Sequence, residues 1–156
     1  MDLKLCIQRA ENEIKLAGII FAISEQEKVQ KDLFEIKDPE TYYSAVITHS
    51  YYCIFYAAKA YLLLKDINVT APEEHKKAYE EFRKFVESGE LDVELLQIYQ
   101  QALVKAEVLL GIFKEEKQKR RIFTYRTLPQ ANKEPAHESI EHAKIFFKNI
   151  NLLCED

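Results

Sequence analysis

Residues 45–64 read AVITHSYYCIFYAAKAYLLL, and this stretch decides the fold. Its side chains are apolar or aromatic on nearly every side of a helix, which predicts the central, most buried helix of the protein. Six of the nine tyrosines lie between Tyr42 and Tyr61. Because a buried tyrosine hydroxyl needs a hydrogen-bond partner, this helix is expected to carry a polar network or to face a cleft.

Apolar side chains at alternating steps of three and four residues precede this stretch and predict a first helix from about residue 2 to residue 23. They are Leu3, Ile7, Ala10, Ile14, Ala17 and Phe21. Residues 24–37 are highly charged and either extend this helix or form a short helix of their own. Asp38-Pro39-Glu40 has the residue types of a helix start, so the central helix is predicted to run from there to about Lys65.

Three further helices are predicted downstream. One begins near Pro72 and ends at Gly89, the next opens at Asp92 and runs to about Tyr125, and the last follows a loop over 128–135. Their predicted inner faces are Ala78, Phe82, Phe85 and Val86, then Leu95, Ile98, Ala102, Ala106, Leu109 and Phe113, then Ile140, Ala143, Phe147, Ile150 and Cys154. The sequence therefore predicts an all-α protein, an antiparallel bundle of about five helices forming a single domain over residues 1–156.

Composition supports this fold class and narrows the function. Hydrophobic residues make up 47% of the 156 residues, whereas only three glycines and four prolines are present, which excludes collagenous, low-complexity and turn-rich β classes. The formal net charge is −4, which argues against a protein that coats nucleic acid along its whole surface.

Cysteine usage and hydropathy limit the cellular compartments in which this protein is expected. Cys6, Cys53 and Cys154 are odd in number and widely spaced, which fits reduced thiols in a cytoplasmic protein better than a disulfide framework. No signal peptide is recognised. The most apolar run, Tyr51 to Leu64, contains Lys59 and is shorter than the roughly 20 residues that span a bilayer, so no membrane contact is expected. No metal ligand set and no cofactor motif is found.

A basic stretch forms the largest charge asymmetry of the chain. Residues 114–133 hold seven basic residues and two acidic ones, a local balance of +5. Phe123 and Tyr125 are interleaved with Arg120, Arg121 and Arg126, so bases could stack beside phosphate contacts. The alternative is a solvated helix end, where the helix dipole favours cations.

Histidines and one thiol are the remaining candidates for chemistry. His49 is either a core residue satisfied by a tyrosine hydroxyl or a cleft residue able to bind phosphate or move a proton. His137 and His142 each have a glutamate four residues away, an arrangement typical of helix-surface pairs rather than of a metal site. Cys53 lies on an apolar face and is expected to be an inert packed thiol.

The order of these signals resembles small stand-alone HEPN proteins (higher eukaryotes and prokaryotes nucleotide-binding domain) of bacteria and archaea. The stretch 45–64 is similar to that family's second helix, roughly A-V-N-R-A-Y-Y-A-M-F-H-A-A-R-A-L-L. Arg9-Ala10-Glu11 matches an opening R-A-E, the region of His75 resembles a K-x-H before the third helix, and residues 119–125 resemble L-R-x-x-A-D-Y. The likeness covers most of the chain except residues 24–37.

The resemblance implies a homodimer of about five-helix subunits with a polar cleft between the second and fourth helices. It also implies a toxin or ribonuclease component, often paired with a minimal nucleotidyltransferase as antitoxin. Tyr51, Tyr52, Arg120 and Tyr125 match cleft or interface positions, with His49 and His75 as further candidates. The sequence departs from the family where His49 replaces an arginine and where Thr124 replaces an aspartate. It also lacks the ribonuclease signature of an arginine followed four to six residues later by a histidine.

Three functions are compatible with these features. The first is a binding module with little or no catalysis, which engages a partner protein, a nucleotide or RNA through the cleft and through Arg120, Arg121, Tyr125 and Arg126. The second is a metal-independent ribonuclease with His49 or His75 as general base and Arg120 on the phosphate. The third is a purely structural bundle. A two-fold dimer is expected to bury aromatic positions of the second and fourth predicted helices.

Overall fold

The protein folds as an all-α bundle in a computed structural model that describes residues 1–110 and 133–155. Six helices and no strand occur in these ranges. The helices are α1 (Leu3–Ser24), α2 (Glu27–Phe34), α3 (Tyr43–Leu64), α4 (Glu74–Glu87), α5 (Val93–Leu110) and α6 (Lys133–Glu155). None of the described helices is long and apolar enough to span a membrane.

Helix α3 is the centre of the bundle, as its sequence predicts. It packs against α1, α4, α5 and α6. The side chains of Val46, Tyr51, Cys53 and Ala57 have no exposed surface at all. A helix that is apolar on every side must be covered on every side, and this requirement organises the other helices around α3.

Contacts between α1 and α3 show that the two helices are antiparallel. Phe21 of α1 packs against Tyr43, with ring centroids 5.7 Å apart, and Glu13 bonds His49. Further along, Arg9 reaches Tyr56. Residue numbers fall on α1 as they rise on α3, so every pairing along this interface follows from one register.

The inner faces predicted from three-four spacing are confirmed in the described residues, with additions that the spacing did not include. Ala10, Ala17, Ala78, Phe82 and Val86 are buried as expected. Cys6 of α1, Tyr99 and Leu103 of α5, and Phe146 of α6 are buried as well. Tyr99 packs edge-on against Tyr79, Phe82 and Phe146.

Residues 38–42 are not helical, so the predicted helix start at Asp38-Pro39 is wrong. The backbone groups there bond side chains from the preceding helices instead of forming a first turn. Gln30 donates to the Glu40 carbonyl and accepts from the Glu40 N–H, and Ser24 Oγ accepts from the Tyr42 N–H at 2.9 Å. The charged segment after α1 forms a separate short helix, α2, which is one of the two alternatives left open by the sequence.

The remaining predicted helix ends agree with the structure to within a few residues. Helix α4 begins at Glu74, two residues after Pro72, and is followed by Gly89 at φ 84°, a conformation that favours glycine. Asp92 precedes α5 and its side chain accepts from the Glu94 N–H, while the predicted extension of that helix to Tyr125 lies outside the described residues. Helix α6 includes Lys133 to Pro135, so this part of the predicted loop is helical, while its residues 128–132 lie outside the described residues.

Candidate functional site

Three aromatic side chains of α3 surround the imidazole of His75, at the start of α4. The ring stacks on Phe55 with centroids 4.1 Å apart, lies nearly parallel to Tyr51 at 5.7 Å and meets Tyr52 edge-on at 5.9 Å. Its Nδ1 is 2.8 Å from the Tyr51 hydroxyl oxygen. The buried tyrosine hydroxyl thus has the partner that its burial requires.

Burial sets the protonation of this histidine. Desolvation lowers the pKa of His75 below its ordinary value of 6.5; Glu74 acts in the opposite direction, and Lys59 lowers the pKa further. The neutral imidazole is therefore the favoured form at neutral pH. Burial likewise raises the pKa of the Tyr51 hydroxyl, which stays protonated.

A partly buried ion pair lies near this histidine. Lys59 is 7% exposed, its ammonium pairs with the carboxylate of Glu74, and its Nζ is 5.5 Å from the centroid of the Phe55 ring. The pair joins the first residue of α4 to α3 and so helps to position His75.

A second histidine, His49, bonds a carboxylate from α1. Its Nδ1 is 2.5 Å from Glu13 Oε2, and the side chains of His49 and Glu13 are 29% and 16% exposed. Since a carboxylate oxygen accepts the hydrogen bond, Nδ1 is the donor in this contact and the Nε2 edge of the ring is left for another partner.

The side chain of Tyr52 lies between the two histidines, with His49 one turn before it on α3 and His75 at the start of α4. It follows His49 by three residues, which places both on the same face of the helix, and its ring contacts His75. Tyr56 stacks on Tyr52 and accepts a 3.2 Å hydrogen bond from Arg9, whose guanidinium carbon is 5.1 Å from the centre of the Tyr56 ring.

These six residues form one partly exposed strip, which we call the seam. Its members are Arg9 and Glu13 of α1, His49, Tyr52 and Tyr56 of α3, and His75 of α4. The seam offers a cation, a carboxylate, two imidazoles and two phenol rings. Such a set can stack on a planar group and bind an anion.

The structure places the predicted site residues in three groups. His49, His75 and Tyr52 come together in the seam. Tyr51 is fully buried, so it positions His75 rather than facing a cleft. Arg120, Arg121, Tyr125 and Arg126 lie outside the described residues.

The other predicted candidates, Cys53, His137 and His142, lie in surroundings typical of residues with a structural role. Cys53 is fully buried, and desolvation raises the pKa of its thiol, as expected for an inert residue. His137 and His142 form surface pairs with Glu141 and Glu138, at 4.0 and 3.8 Å. No group of three metal-ligating side chains occurs in residues 1–110 and 133–155.

Sequence reasoning missed four residues that build the site: Glu13, Phe55, Tyr56 and Lys59. It placed Arg9 on the polar side of the first helix and in an opening motif, but not in the site. The usable signal was on α1, where Arg9 and Glu13 are four residues apart and border the apolar stripe. Arg9 bonds Tyr56 and Glu13 bonds His49, so both side chains reach α3.

Comparisons with known proteins give a partial similarity. The chain is 39% identical over 62 residues to a protein of Methanocaldococcus jannaschii named "Putative toxin MJ0142". The matched residues make up 39% of this chain and 40% of that protein, so the similarity spans less than half the length of either. No protein-family profile matches the chain, and no solved structure matches it with significance.

Proposed function

We propose that this chain is the toxin-like member of a two-protein system and works as a HEPN-type homodimeric binding module. The seam is the observation that carries this proposal, because it gathers a cation, two imidazoles and stacked phenol rings from three helices on one surface. The archaeal relative, named as a toxin, supports the same class of function.

The chemistry of the seam supports binding more than catalysis. His75 bonds Tyr51 and is stacked on Phe55, so its ring is part of a rigid wall. Tyr52 and Tyr56 present stacked rings beside Arg9, a combination suited to the planar base and phosphate of a nucleotide or RNA. A minimal nucleotidyltransferase, the partner implied by the resemblance to HEPN proteins, is the proposed protein partner.

A growth assay tests this function. The chain is expressed from an inducible promoter in a bacterial host, alone and together with a candidate partner of the minimal nucleotidyltransferase type. We expect wild type to inhibit colony formation, co-expression to relieve the inhibition, and Tyr52→Ala or His49→Ala to inhibit at least about tenfold less. A tenfold loss corresponds to about 1.4 kcal/mol of binding free energy, well within the contribution of one stacked ring.

His142→Ala is the control, because His142 lies 3.8 Å from Glu138 within α6 and is not part of the seam. It should inhibit growth as strongly as wild type. Circular dichroism melting of each variant shows whether the bundle is intact. A wild-type chain without any effect on growth, or seam variants as inhibitory as wild type, would contradict the proposal.

A metal-independent ribonuclease is the second candidate, and the pair Glu13–His49 is the observation in its favour. A carboxylate on Nδ1 orients the imidazole and leaves Nε2 as a possible base for a 2′-hydroxyl. The reaction also needs an acid for the leaving oxygen and a cation on the phosphate. Each such group typically raises the reaction rate about 10²–10⁴-fold, so an enzyme that lacks one of them is a weak catalyst.

A further inference from the structure

The carboxylate of Glu13, at one end of the seam, has unused capacity to accept hydrogen bonds. Its side chain is 16% exposed, and the only hydrogen bond that it accepts within the described residues comes from His49 Nδ1, 2.5 Å from Oε2. A carboxylate has two oxygens and about four lone-pair positions. A polar group that is largely withdrawn from water and makes a single bond leaves room for a ligand that donates hydrogen bonds.

The opposite end of the seam carries a positive charge. Arg9 precedes Glu13 by one helical turn on α1 and bonds the hydroxyl of Tyr56 at 3.2 Å. Because α1 and α3 are antiparallel, Glu13 meets α3 at His49 and Arg9 meets it at Tyr56, which is seven residues or about 10 Å further along the helix. The seam therefore has a direction, with a carboxylate at one end and a guanidinium at the other.

Two phenol rings lie between these ends. Tyr52 and Tyr56 stack with their planes 27° apart and their centroids 6.2 Å apart, and both side chains are half-buried. Burial raises the pKa of the Tyr52 hydroxyl, and Tyr56 and the charge of Glu13 raise it further, so the carboxylate acts on these rings. Aromatic side chains of this kind stack on any base and do not choose among bases.

The acceptor at the Glu13 end decides which base fits. Guanine presents two neighbouring donors, its N1–H and its 2-amino group, which match the two oxygens of one carboxylate. The other bases each present an acceptor beside their donor: a ring nitrogen in adenine and cytosine, and carbonyl oxygens in uracil. A phosphate at this end would meet a like charge, whereas at the other end it meets the guanidinium of Arg9, a group suited to phosphate.

We propose that the seam binds a guanine nucleotide, with the base stacked on Tyr52, its N1–H and 2-amino groups on Glu13 and its phosphate at Arg9. The proposal rests on the nucleotide or RNA binding of the proposed function and names the base that is selected. Glu13 is the specificity-determining residue, and the bond from His49 Nδ1 holds its carboxylate in place.

The first experiment compares guanosine 5′-monophosphate with inosine 5′-monophosphate, which lacks only the 2-amino group. Dissociation constants of the full chain are measured by NMR titration up to about 10 mM nucleotide, which covers weak binding. Wild type should bind the guanosine nucleotide at least about fivefold more tightly, since the inosine nucleotide loses a hydrogen bond to a charged group.

Variants at two glutamates of α1 assign this preference to one side chain. Glu13→Gln should reduce the preference to less than about twofold, because the amide replaces one acceptor by a donor while its oxygen still accepts from His49. The comparison of two ligands on one protein is unaffected by a change in stability. Glu11→Gln is the matched control, because Glu11 lies on the same helix and pairs with Lys15 outside the seam, and it should keep the wild-type preference.

The second experiment tests the direction of binding. Arg9→Gln should weaken the binding of guanosine 5′-monophosphate about tenfold and leave the binding of guanosine, which has no phosphate, unchanged. Arg83→Gln is the matched control, because Arg83 is an arginine of α4 that pairs with Glu87 outside the seam. It should leave both dissociation constants unchanged.

Each outcome decides the proposal. Equal binding of the two nucleotides by wild type overturns the selection of guanine and leaves nucleotide binding by the seam standing. Wild type that binds neither nucleotide overturns both. A preference that persists in Glu13→Gln overturns Glu13 as its source, and an equal effect of Arg9→Gln on nucleotide and nucleoside overturns the direction of binding. These titrations are independent of growth inhibition, so failure of the toxin-like function would be seen separately.

Discussion

His75 lies where a positive charge costs more than it does in water. Aromatic rings cover the imidazole, and desolvation is the largest of the influences that lower its pKa below 6.5. In the unfolded chain the same side chain binds a proton near its ordinary value. The difference makes the stability of the fold depend on pH through this one residue.

The first prediction concerns this pH dependence. Between the folded pKa of His75 and 6.5 the unfolded state binds more protons, so the free energy of unfolding falls as the pH is lowered through 6.5. His75→Gln should flatten the curve between pH 7.5 and 5.5, measured by urea denaturation. Glu25 and Glu90 have lowered pKa values and lose their contributions only below their usual 4.5, outside this window. If the free energy of unfolding depended on pH in the same way in wild type and His75→Gln, the assignment of this pH dependence to His75 would be refuted. His142→Gln is the control.

A second prediction compares two buried tyrosine hydroxyls. Tyr51→Phe removes the bond to His75 and should lower the free energy of unfolding by about 1–2 kcal/mol. Tyr99 is equally buried, but its hydroxyl has no hydrogen-bond partner in the described residues. Tyr99→Phe should therefore be neutral or stabilising. Equal losses in the two variants, measured by chemical denaturation, would show that the bond between Tyr51 and His75 contributes nothing.

For single residues, the sequence predicts that buried polar side chains need hydrogen-bond partners, but it does not predict which residues those partners are. The tyrosine-rich helix correctly indicates a polar network around α3. A tyrosine hydroxyl was one of the two alternatives for His49, yet Glu13 bonds His49 and Tyr51 bonds His75. Which side chains meet depends on the register of α1 and α4 against α3, and spacing within one helix carries no information about that register.

One buried polar side chain links helix α2 to the segments on either side of it. Gln30 is fully buried, and its amide makes three hydrogen bonds of 2.8 Å to backbone groups of Ile23 and Glu40. The side chain thereby links the end of α1, the helix that carries it and the segment before α3. This linkage explains why the proline at position 39 does not start a helix.

The third prediction follows from this linkage. Gln30→Ala leaves an N–H and two carbonyl groups without their partner, which should lower the free energy of unfolding by about 2–4 kcal/mol. Gln97→Ala on α5 removes an exposed side chain and should change the stability by less than about 0.5 kcal/mol. Denaturant midpoints of the two variants give the comparison. A loss at Gln30 as small as that at Gln97 would mean that α2 is held by other contacts.

Helix existence and inner faces follow from the sequence because apolar periodicity reports burial directly. Helix starts are predicted less well, as residues 38–42 show. Capping rules describe how a local segment satisfies its own backbone groups. They fail where a distant side chain such as Gln30 satisfies those groups instead.

Charge is distributed unevenly over the whole molecule. Residues 114–133 carry +5, so the remainder of the chain carries −9. An acidic body would repel RNA, and attraction must then come from the basic stretch. Any nucleic acid bound there would be held mainly through its phosphates.

The fourth prediction is a steep salt dependence of RNA binding. Counterion release should make the affinity for a single-stranded RNA fall with added salt, and Arg121→Glu should weaken binding and reduce the slope. Lys148→Glu, at an exposed position of α6, should have a much smaller effect. The melting temperature of Lys148→Glu should match wild type, because exposed charges contribute little to stability. Affinity without salt dependence, or no binding at low salt, would contradict this prediction.

The central claim is that the protein acts by binding rather than by cutting RNA. The most direct test incubates the purified chain with mixed RNA in EDTA, alongside His49→Ala, His75→Ala and Arg120→Ala. The account predicts no cleavage by wild type above the level of the variants, because no arginine precedes a histidine at the spacing that would place cation and base together. Robust cleavage by wild type that disappears in any of the three variants would show that the protein is a ribonuclease and contradict the claim.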